Sequence, residues 1–390
     1  MERIAYKEII WILIIVLLWN PIMVLLLTKS ILAAIIMPLL IIALYLYLMK
    51  SKSKAIMIFV FNFGLLLSLL CHAELIFRVV FNQYNIANLY EVKDKYYFNK
   101  PLLKETFFDK DFTSVYITNK DGYRIGNVSG QDKAIDTCSF LFIGDSFTQG
   151  AQVNYEEMFS TLIGDSLKKA VVNGGISGAG IFDEYYYFIN QGYSLRPSVV
   201  FLELGVFNDF FDVEIHHPSK LKNYLMDISL YRLFQYNIHK EILPLGRWTE
   251  PFFATTEDNA NFNILYKEMT NTKYRDIQNL KRGLVAFKKA VDTCNSKLII
   301  ILIPSKEQIS SELLREVQKA YGIKDYELDM SFPNRLMKQI SKEIDVPLID
   351  LTNSFKSSQV FPFFTHDEHM NKVGHRIVAE EVISYLATEK

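Results

Sequence analysis

Three apolar runs, residues 9–27, 31–49 and 55–71, fill most of the first eighty positions. Each is close to the roughly 20 residues a membrane-spanning helix needs, and none shows a polar face. In hydrocarbon every backbone N–H and C=O must be bonded within its own segment, so such runs are confined to helix. A secretory signal would be one shorter run followed by small residues at a cleavage site. Three runs in series read instead as a retained anchor, and three transmembrane helices are expected over residues 1–80. Three buried core helices are the rival reading, which the lack of any polar face disfavours.

Orientation follows from the Lys/Arg bias of short loops. Lys50, Lys52 and Lys54 form the densest cluster, and Arg3 and Lys7 fall on the same side if the chain crosses twice between them. That side is expected to be the cytoplasm, which places everything after about Phe81 outside it. Lys29 on the outer side and Lys93 and Lys95 after the last run soften the bias. Glu74 and Arg78, four residues apart near the outer end of the third run, are expected to pair as a structural couple. Asn20-Pro21 is expected to kink the first helix.

The remaining roughly 300 residues suffice for one large domain. Lys and Arg total 42 against 43 Asp and Glu, with no basic stripe, so nucleic acid is not an expected partner. Three cysteines make no disulfide framework. Cys138 and Cys294 each precede an apolar strand and read as buried thiols, with a bridge between them as the lesser alternative. Residues 81–134 are aromatic and charged, with turn signals such as Asn119-Lys120-Asp121-Gly122, and read as a membrane-proximal stalk with short strands. From 135 to 390 strands and helices alternate. Strands are expected at 139–143, 170–173, 198–204, 297–303 and 347–351. Helices are expected at 156–169, 181–191, 276–293, 307–320, 333–343 and 371–388. Such alternation implies a parallel sheet covered on both faces, with ligands at the carboxyl ends of its strands.

Those strand ends carry the chemistry. The first runs into Gly144-Asp145-Ser146-Phe147-Thr148-Gln149-Gly150. A serine between a buried strand and a helix N-terminus has free N–H groups and a helix dipole beside it, which suits a nucleophile and its oxyanion. Thr148 stands where a Gly-x-Ser-x-Gly elbow would have its second glycine, so the α/β-hydrolase family is disfavoured. The second strand runs into Asn173-Gly174-Gly175-Ile176-Ser177-Gly178-Ala179-Gly180, and the third ends in Gly205-Val206-Phe207-Asn208-Asp209. Thr365-His366-Asp367-Glu368-His369-Met370-Asn371 opens the last helix.

In this order the four segments resemble the SGNH (GDSL) hydrolase family, from about Cys138 onward. The resemblance implies a three-layer α/β/α sandwich with a five-stranded parallel sheet. It implies Ser146 as nucleophile and His369 as general base, with Ser146, Gly178 and Asn208 forming the oxyanion hole. That family usually has its aspartate three residues before the histidine. Here that position is His366, and Asp367, two before His369, is the expected orienting carboxylate. Glu368, or no acid at all, remains an alternative. His366 and His375 are expected to be structural, and Asp209 a strand-end hydrogen-bond acceptor.

Other readings of these segments are weaker. A dinucleotide loop at 174–180 would need an acid at the tip of the next strand, where Leu204-Gly205 stands. His216-His217 are adjacent and make no metal-ligand spacing, so neither cofactor nor metal is expected. An insertion, 210–275, leaves a site-forming strand end and is expected to overhang the cleft. Its aromatics, Tyr224, Tyr231, Phe234, Tyr236, Trp248, Phe252 and Phe253, read first as its own small core and second as a sugar or acyl surface. Lys306, after the fourth strand, is a further residue expected near the cleft. The resulting expectation is a membrane-anchored, extracytoplasmic serine esterase or O-acyltransferase. Its substrate would be a short acyl ester, acetyl foremost, on a cell-envelope glycan. A transferase would need a membrane partner protein to deliver the acyl donor. The rival class is a non-catalytic glycan-binding or scaffold subunit.

Overall fold

The computed structural model describes residues 19–28, 30–49, 54–80, 89–93, 96–214, 219–231 and 260–388. Two compact units result: residues 1–86 with 225–243, and residues 87–224 with 244–390.

The first unit holds α1 (Pro21–Thr28), α2 (Ile31–Met49) and α3 (Lys54–Val80). Trp19, Met23, Val24 and Ala34 are buried together, with Cys71 and Leu75 of α3 against them. Asn20 lies outside α1, and its Oδ1 accepts the Met23 N–H at 2.7 Å. The Asn20-Pro21 pair therefore opens α1, with the asparagine as cap and the proline at a position that needs no N–H. Among the described residues one segment, Ile58–Arg78 of α3, is long and apolar enough to cross a bilayer; Ile31–Leu44 of α2 is a shorter apolar stretch. The helix α3 runs past the expected end at residue 71 to Val80. Residues 9–18 of the first run, with Arg3, Lys7, Lys29, Lys50 and Lys52, lie outside the described residues.

Glu74 and Arg78 pair, Nε to Oε1 at 2.7 Å. Glu74 is buried and does more than pair, since its two oxygens accept the N–H groups of Ser229 and Leu230 at 2.8 Å each. A carboxylate at free helical N–H groups satisfies donors that the turn at 229–231 cannot bond itself.

In the second unit β1 (Tyr90–Lys93) pairs antiparallel with β2 (Tyr96–Asn99), and β3 (Lys104–Phe108), β4 (Thr113–Thr118) and β5 (Arg124–Ile125) form an antiparallel sheet. These are the short strands expected of residues 81–134. Tyr96, Phe98 and Tyr123 belong to the same buried core as the main sheet. Phe98 stacks on Tyr187 with ring centroids 5.0 Å apart.

The main sheet contains β6 (Phe140–Ile143), β7 (Val171–Asn173), β8 (Val199–Gly205), β9 (Lys297–Ile303) and β10 (Leu348–Asp350). All neighbours are parallel, in the order β10-β9-β8-β6-β7. This is the expected five-stranded parallel α/β sheet. Successive strand residues point to opposite faces, and the cores divide accordingly. Leu141, Ile143, Val200, Leu202, Leu298 and Ile300 pack on one face, and Phe140, Phe142, Phe201, Ile299 and Ile301 on the other. Ile181 and Phe188 of α6 (Ile181–Asn190) and Leu284 and Phe287 of α8 (Asn271–Asp292) cover the first face. Phe159 and Ile163 of α5 (Phe159–Leu167) and Val378 and Val382 of α13 (Lys372–Thr388) cover the second. The chain leaves β6 for β7 on one side and then crosses to β8 on the other, so β6 and β8 flank a topological switch point, where ligands bind in such sheets.

Several helix bounds differ from expectation for local reasons. The helix expected from 156 begins as a 3-10 turn, Tyr155–Glu157, and Met158 is extended before α5. The helix expected over 307–320 is two, α9 (Lys306–Ile309) and α10 (Ser311–Tyr321). Ser310 between them is extended, and its side chain caps Leu313 N. The helix α8 starts five residues early because Thr270 accepts the Lys273 N–H at 3.1 Å. Cys138 and Cys294 are free thiols. Burial pushes the Cys138 thiol up to about 12. Of the insertion, Phe262, Ile264 and Leu265 join the second unit's core, and 225–243 group with the first unit. Phe234, Tyr236, Trp248, Phe252 and Phe253, and His216 and His217, lie outside the described residues.

Candidate active site

Ser146 is the first residue of α4 (Ser146–Gln149), at the carboxyl end of β6, and is half-buried. Asp145 caps that turn, Oδ1 accepting the Phe147 N–H at 2.8 Å. Gly150 ends it in the left-handed conformation, φ 60°. Thr148, the residue that breaks the Gly-x-Ser-x-Gly pattern, is buried and donates its hydroxyl to Glu203 Oε2 at 2.9 Å. A glycine there would leave that oxygen without its donor.

The other strand ends meet this turn. Asn208, after β8, donates from Nδ2 to Asp145 Oδ2 at 2.7 Å. An amide nitrogen carries two hydrogens, so one donor remains for a ligand. After β7, Ile176 N bonds Gly144 O at 3.0 Å, and a side chain at Gly175 would strike Gln149 N at 2.2 Å. Gly178 lies two residues beyond, exposed, with φ +73° and open space where a Cβ would be. Only glycine adopts this conformation without strain. Ser146, Asn208 and Gly178 thus come from three loops at one end of the sheet.

His369 lies against the same turn, its ring 5.1 Å from that of Phe147. It is buried. Nδ1 is 2.6 Å from Asp367 Oδ1, which also accepts the His369 backbone N–H at 2.9 Å. Glu368 Oε1 stands 3.9 Å from the same nitrogen. Of the two acids, Asp367 is the one hydrogen-bonded to the ring. The Gln152 side-chain amide also lies 2.9 Å from Nδ1. With the Nδ1 proton directed at Asp367, Nε2 carries the lone pair, and that atom is buried with no hydrogen-bond partner among the described residues. Burial by itself lowers the imidazole's pKa, but the charges of Asp367 and Glu368 outweigh it and raise it to about 9.

Lys306 is buried beside this arm, lining a small pocket with Phe147, Phe207, Ser305, Glu307, Phe363 and Glu368. Burial lowers its pKa to about 8, against the pull of Asp367 and Glu307. The two other histidines are placed as structural residues. His366 Nδ1 pairs with Asp111 at 2.7 Å. His375 is buried against Phe159, accepts its N–H at 3.3 Å, and is lowered by burial to about 3.

Sequence reasoning missed two groups. Arg124 of β5 is buried and donates to the carbonyls of Gln149, Gly150 and Val153, holding the chain that leaves α4. Gln149 itself donates to Asn99 Oδ1 at 2.8 Å and Tyr90 OH at 3.0 Å. The second group is a set of buried acids behind Ser146: Asp145, Glu184, Glu203 and Asp209. Burial first, and mutual repulsion after it, hold Glu184, Glu203 and Asp209 well above the usual carboxylate range. Asp209 also accepts the Gly205 N–H, as expected of a strand-end acceptor. A glutamate inside the apolar run Val199-Val200-Phe201-Leu202-Glu203-Leu204 was the available signal. Oxygen or nitrogen atoms close enough to share a metal occur in two groups of the described residues, Asp367/Glu368/His369 and Asp145/Glu203/Asp209. In the first, the Asp367 hydrogen bond already occupies the histidine nitrogen.

No family model matches the chain, and no curated protein does. Solved structures similar to it include the acetyl xylan esterase AlAXEase, at 17% identity over 63% of this chain and 98% of that one, TM-score 0.37. TesA follows at 12% identity over 63% and 97%, TM-score 0.36. A catalytic mutant of Axe2, an acetylxylan esterase from Geobacillus stearothermophilus, follows at 14% over 63% and 92%, TM-score 0.34. At these identities and TM-scores the likenesses carry no argument about activity.

Proposed function

We propose that this chain is a serine esterase or O-acyltransferase of the SGNH type, held in a membrane by its N-terminal helices with the α/β unit on the extracytoplasmic side. One observation carries the reading. A buried imidazole, bonded to Asp367 through Nδ1 and bare at Nε2, packs against Phe147, the residue that follows Ser146 in the first turn of α4.

In this reading His369 Nε2 takes the Ser146 proton as Oγ attacks the ester carbonyl. The oxyanion is met by the N–H groups of Ser146 and Gly178 and by the Asn208 amide. Collapse expels the alcohol, which takes the proton back from His369 and leaves an acyl group on Ser146. Water then completes hydrolysis, or a glycan hydroxyl completes transfer. The proposed substrate is a short acyl ester, acetyl foremost, on a cell-envelope glycan. A transferase would draw its acyl group from a partner membrane protein.

A fluorophosphonate probe tests the nucleophile. The full chain in detergent should label on Ser146, and the Ser146→Ala protein should not label while melting like the wild type. Labelling unchanged in Ser146→Ala would place the nucleophile elsewhere. The topology is tested separately: a cysteine introduced at Lys133 should react with an impermeant thiol reagent before cell lysis, and reaction only after lysis would reverse the orientation.

A further inference from the structure

Four carboxylates from four elements converge behind the serine. Asp145 follows β6, Glu184 is on α6, Glu203 is in β8 and Asp209 follows it, and each is about 1% exposed or less. One oxygen each from Asp145, Glu203 and Asp209 lies within 4.8 Å of the others. Part of this cluster is hydrogen-bonded: Asp145 by Phe147 N and Asn208 Nδ2, Glu203 Oε2 by Thr148, Asp209 Oδ2 by Gly205 N, and Asp145 and Glu203 to each other. The rest is bare. Glu203 Oε1, Asp209 Oδ1 and both oxygens of Glu184 are buried with no partner among the described residues, and so is Asn208 Oδ1.

Two of the bare atoms, Asn208 Oδ1 and Glu203 Oε1, flank Gly205 together with the hydrogen-bonded Asp209 Oδ2. A Cβ at Gly205 would sit 3.4 Å from Asn208 Oδ1 and 3.7 Å from both Glu203 Oε1 and Asp209 Oδ2. The missing side chain leaves that point open, ringed by oxygen. Buried acceptors without donors are costly, and buried carboxylates more so, unless a positive group meets them. Of the basic side chains near the site, Arg124 is engaged on carbonyls of the 149–153 loop, Lys306 lies beside Asp367, and His369, whose charge reaches Asp145, is hydrogen-bonded to Asp367.

We infer that Asp145, Glu203, Asp209 and the Asn208 carbonyl form a cation site, suited to calcium, beneath the Ser146 turn. All four donors are oxygen, which selects a hard cation. Calcium takes six to eight oxygens at 2.3–2.6 Å in flexible geometry, and the three carboxylate oxygens, all within 4.8 Å of one another, fit inside the roughly 5 Å that separates two such ligands on opposite sides. Magnesium demands about 2.1 Å and a tighter octahedron. The ligands come from two strand ends, so an occupied site would cross-link β6 to β8 where the candidate nucleophile is carried.

The test uses the full-length chain in detergent, stripped with a chelator and dialysed against radioactive calcium at pH 7.5. One calcium should bind per chain. Relative to chelator, a hundredfold excess of calcium over its dissociation constant should raise the melting temperature by about 5 °C or more. Magnesium at the same concentration should raise it far less. Glu203→Gln and Asp209→Asn should each abolish binding and the calcium-dependent shift, and Glu184→Gln should weaken binding several-fold. A wild-type chain that binds no calcium overturns the inference and leaves protons as what neutralises the cluster. Binding that persists in both Glu203→Gln and Asp209→Asn places the cation elsewhere and overturns it equally. If a variant fails to melt cooperatively, the wild-type stoichiometry and the Glu184→Gln affinity decide. No outcome depends on esterase activity.

Discussion

Two acid-rich groupings flank the Ser146 turn, and they respond to burial in opposite ways. In the C-terminal arm, Asp367 and Glu368 face an imidazole and raise it to about 9. Behind the turn, Asp145, Glu184, Glu203 and Asp209 face chiefly one another, and their own values rise. Both groupings are buried, so burial does not separate them. What separates them is a titratable base bonded to the carboxylates, which Asp367 has in His369; Glu184, Glu203 and Asp209 have none, and Asp145 only feels the His369 charge. With one, ionised forms stabilise each other; without one, desolvation and repulsion favour the neutral acid or an added cation.

The largest effect expected from this contrast is in the first arm. His369→Ala should lower kcat for p-nitrophenyl acetate on the order of 10⁶-fold, and Asp367→Asn on the order of 10⁴-fold, with melting curves retained. A folded Asp367→Asn enzyme near wild-type rate would mean that the imidazole works without its carboxylate.

Asn208 links the second grouping to the proposed oxyanion hole, since its amide bonds Asp145 and is the proposed oxyanion donor. Asn208→Ala should cost about 10²–10³ in kcat with little change in KM. A change confined to KM would remove it from the oxyanion hole.

Glu368→Gln should act on pH dependence more than on rate. The general base must be neutral, so activity should rise with pH through a limb near 9, the raised value of His369. Removing the Glu368 charge takes away a raising influence, so the limb should move to lower pH while the alkaline plateau changes less than about tenfold. An unmoved limb would show that Glu368 does not act on the ring. The same raised value gives His369 a stabilising contribution that is full below about 6.5 and lost as pH rises through about 9.

The smallest expected effect concerns the second grouping. Carboxylic acids with raised folded-state values contribute stability that is present below the ordinary carboxylate range and lost as pH rises through those raised values. In chelator, Glu203→Gln should therefore melt close to wild type at pH 5 and a few degrees above it at pH 8. Equal slopes of melting temperature against pH for the two proteins would show that Glu203 carries no strain of this kind.

Much of this molecule was legible along the chain, because local spacing carried it. Short continuous apolar runs located the five parallel strands within a residue or two, since a sheet covered on both faces buries the side chains that point either way. Gly144-Asp145-Ser146 announced its own cap: Asp145 bonds the N–H two residues on, and that geometry is local. The Asp367–His369 contact is equally local, although Asp367 was expected as the orienting acid only through the family resemblance, with Glu368 as an alternative. Helix breaks at Ser310 and Met158 were harder, because a serine cap or one extended residue interrupts periodicity without changing composition.

What the chain order could not supply were contacts between residues far apart in sequence. Arg124 reaches carbonyls of residues 149 to 153 only because β5 folds back against the turn. Phe98 finds Tyr187 for the same reason. Glu74 looked like half of an ion pair, yet in the structure it also holds the backbone at Ser229 and Leu230. The four carboxylates behind Ser146 are separated by up to sixty-four positions and carry no shared motif. By itself the sequence determined the layers and the strand ends, because those depend on period and neighbour, and it singled out the candidate site residues through the motifs at those strand ends. Only the tertiary structure decided which charges share a site, since that depends on strand order and register across the sheet. The strand order β10-β9-β8-β6-β7 brings the ends of β6 and β8 side by side.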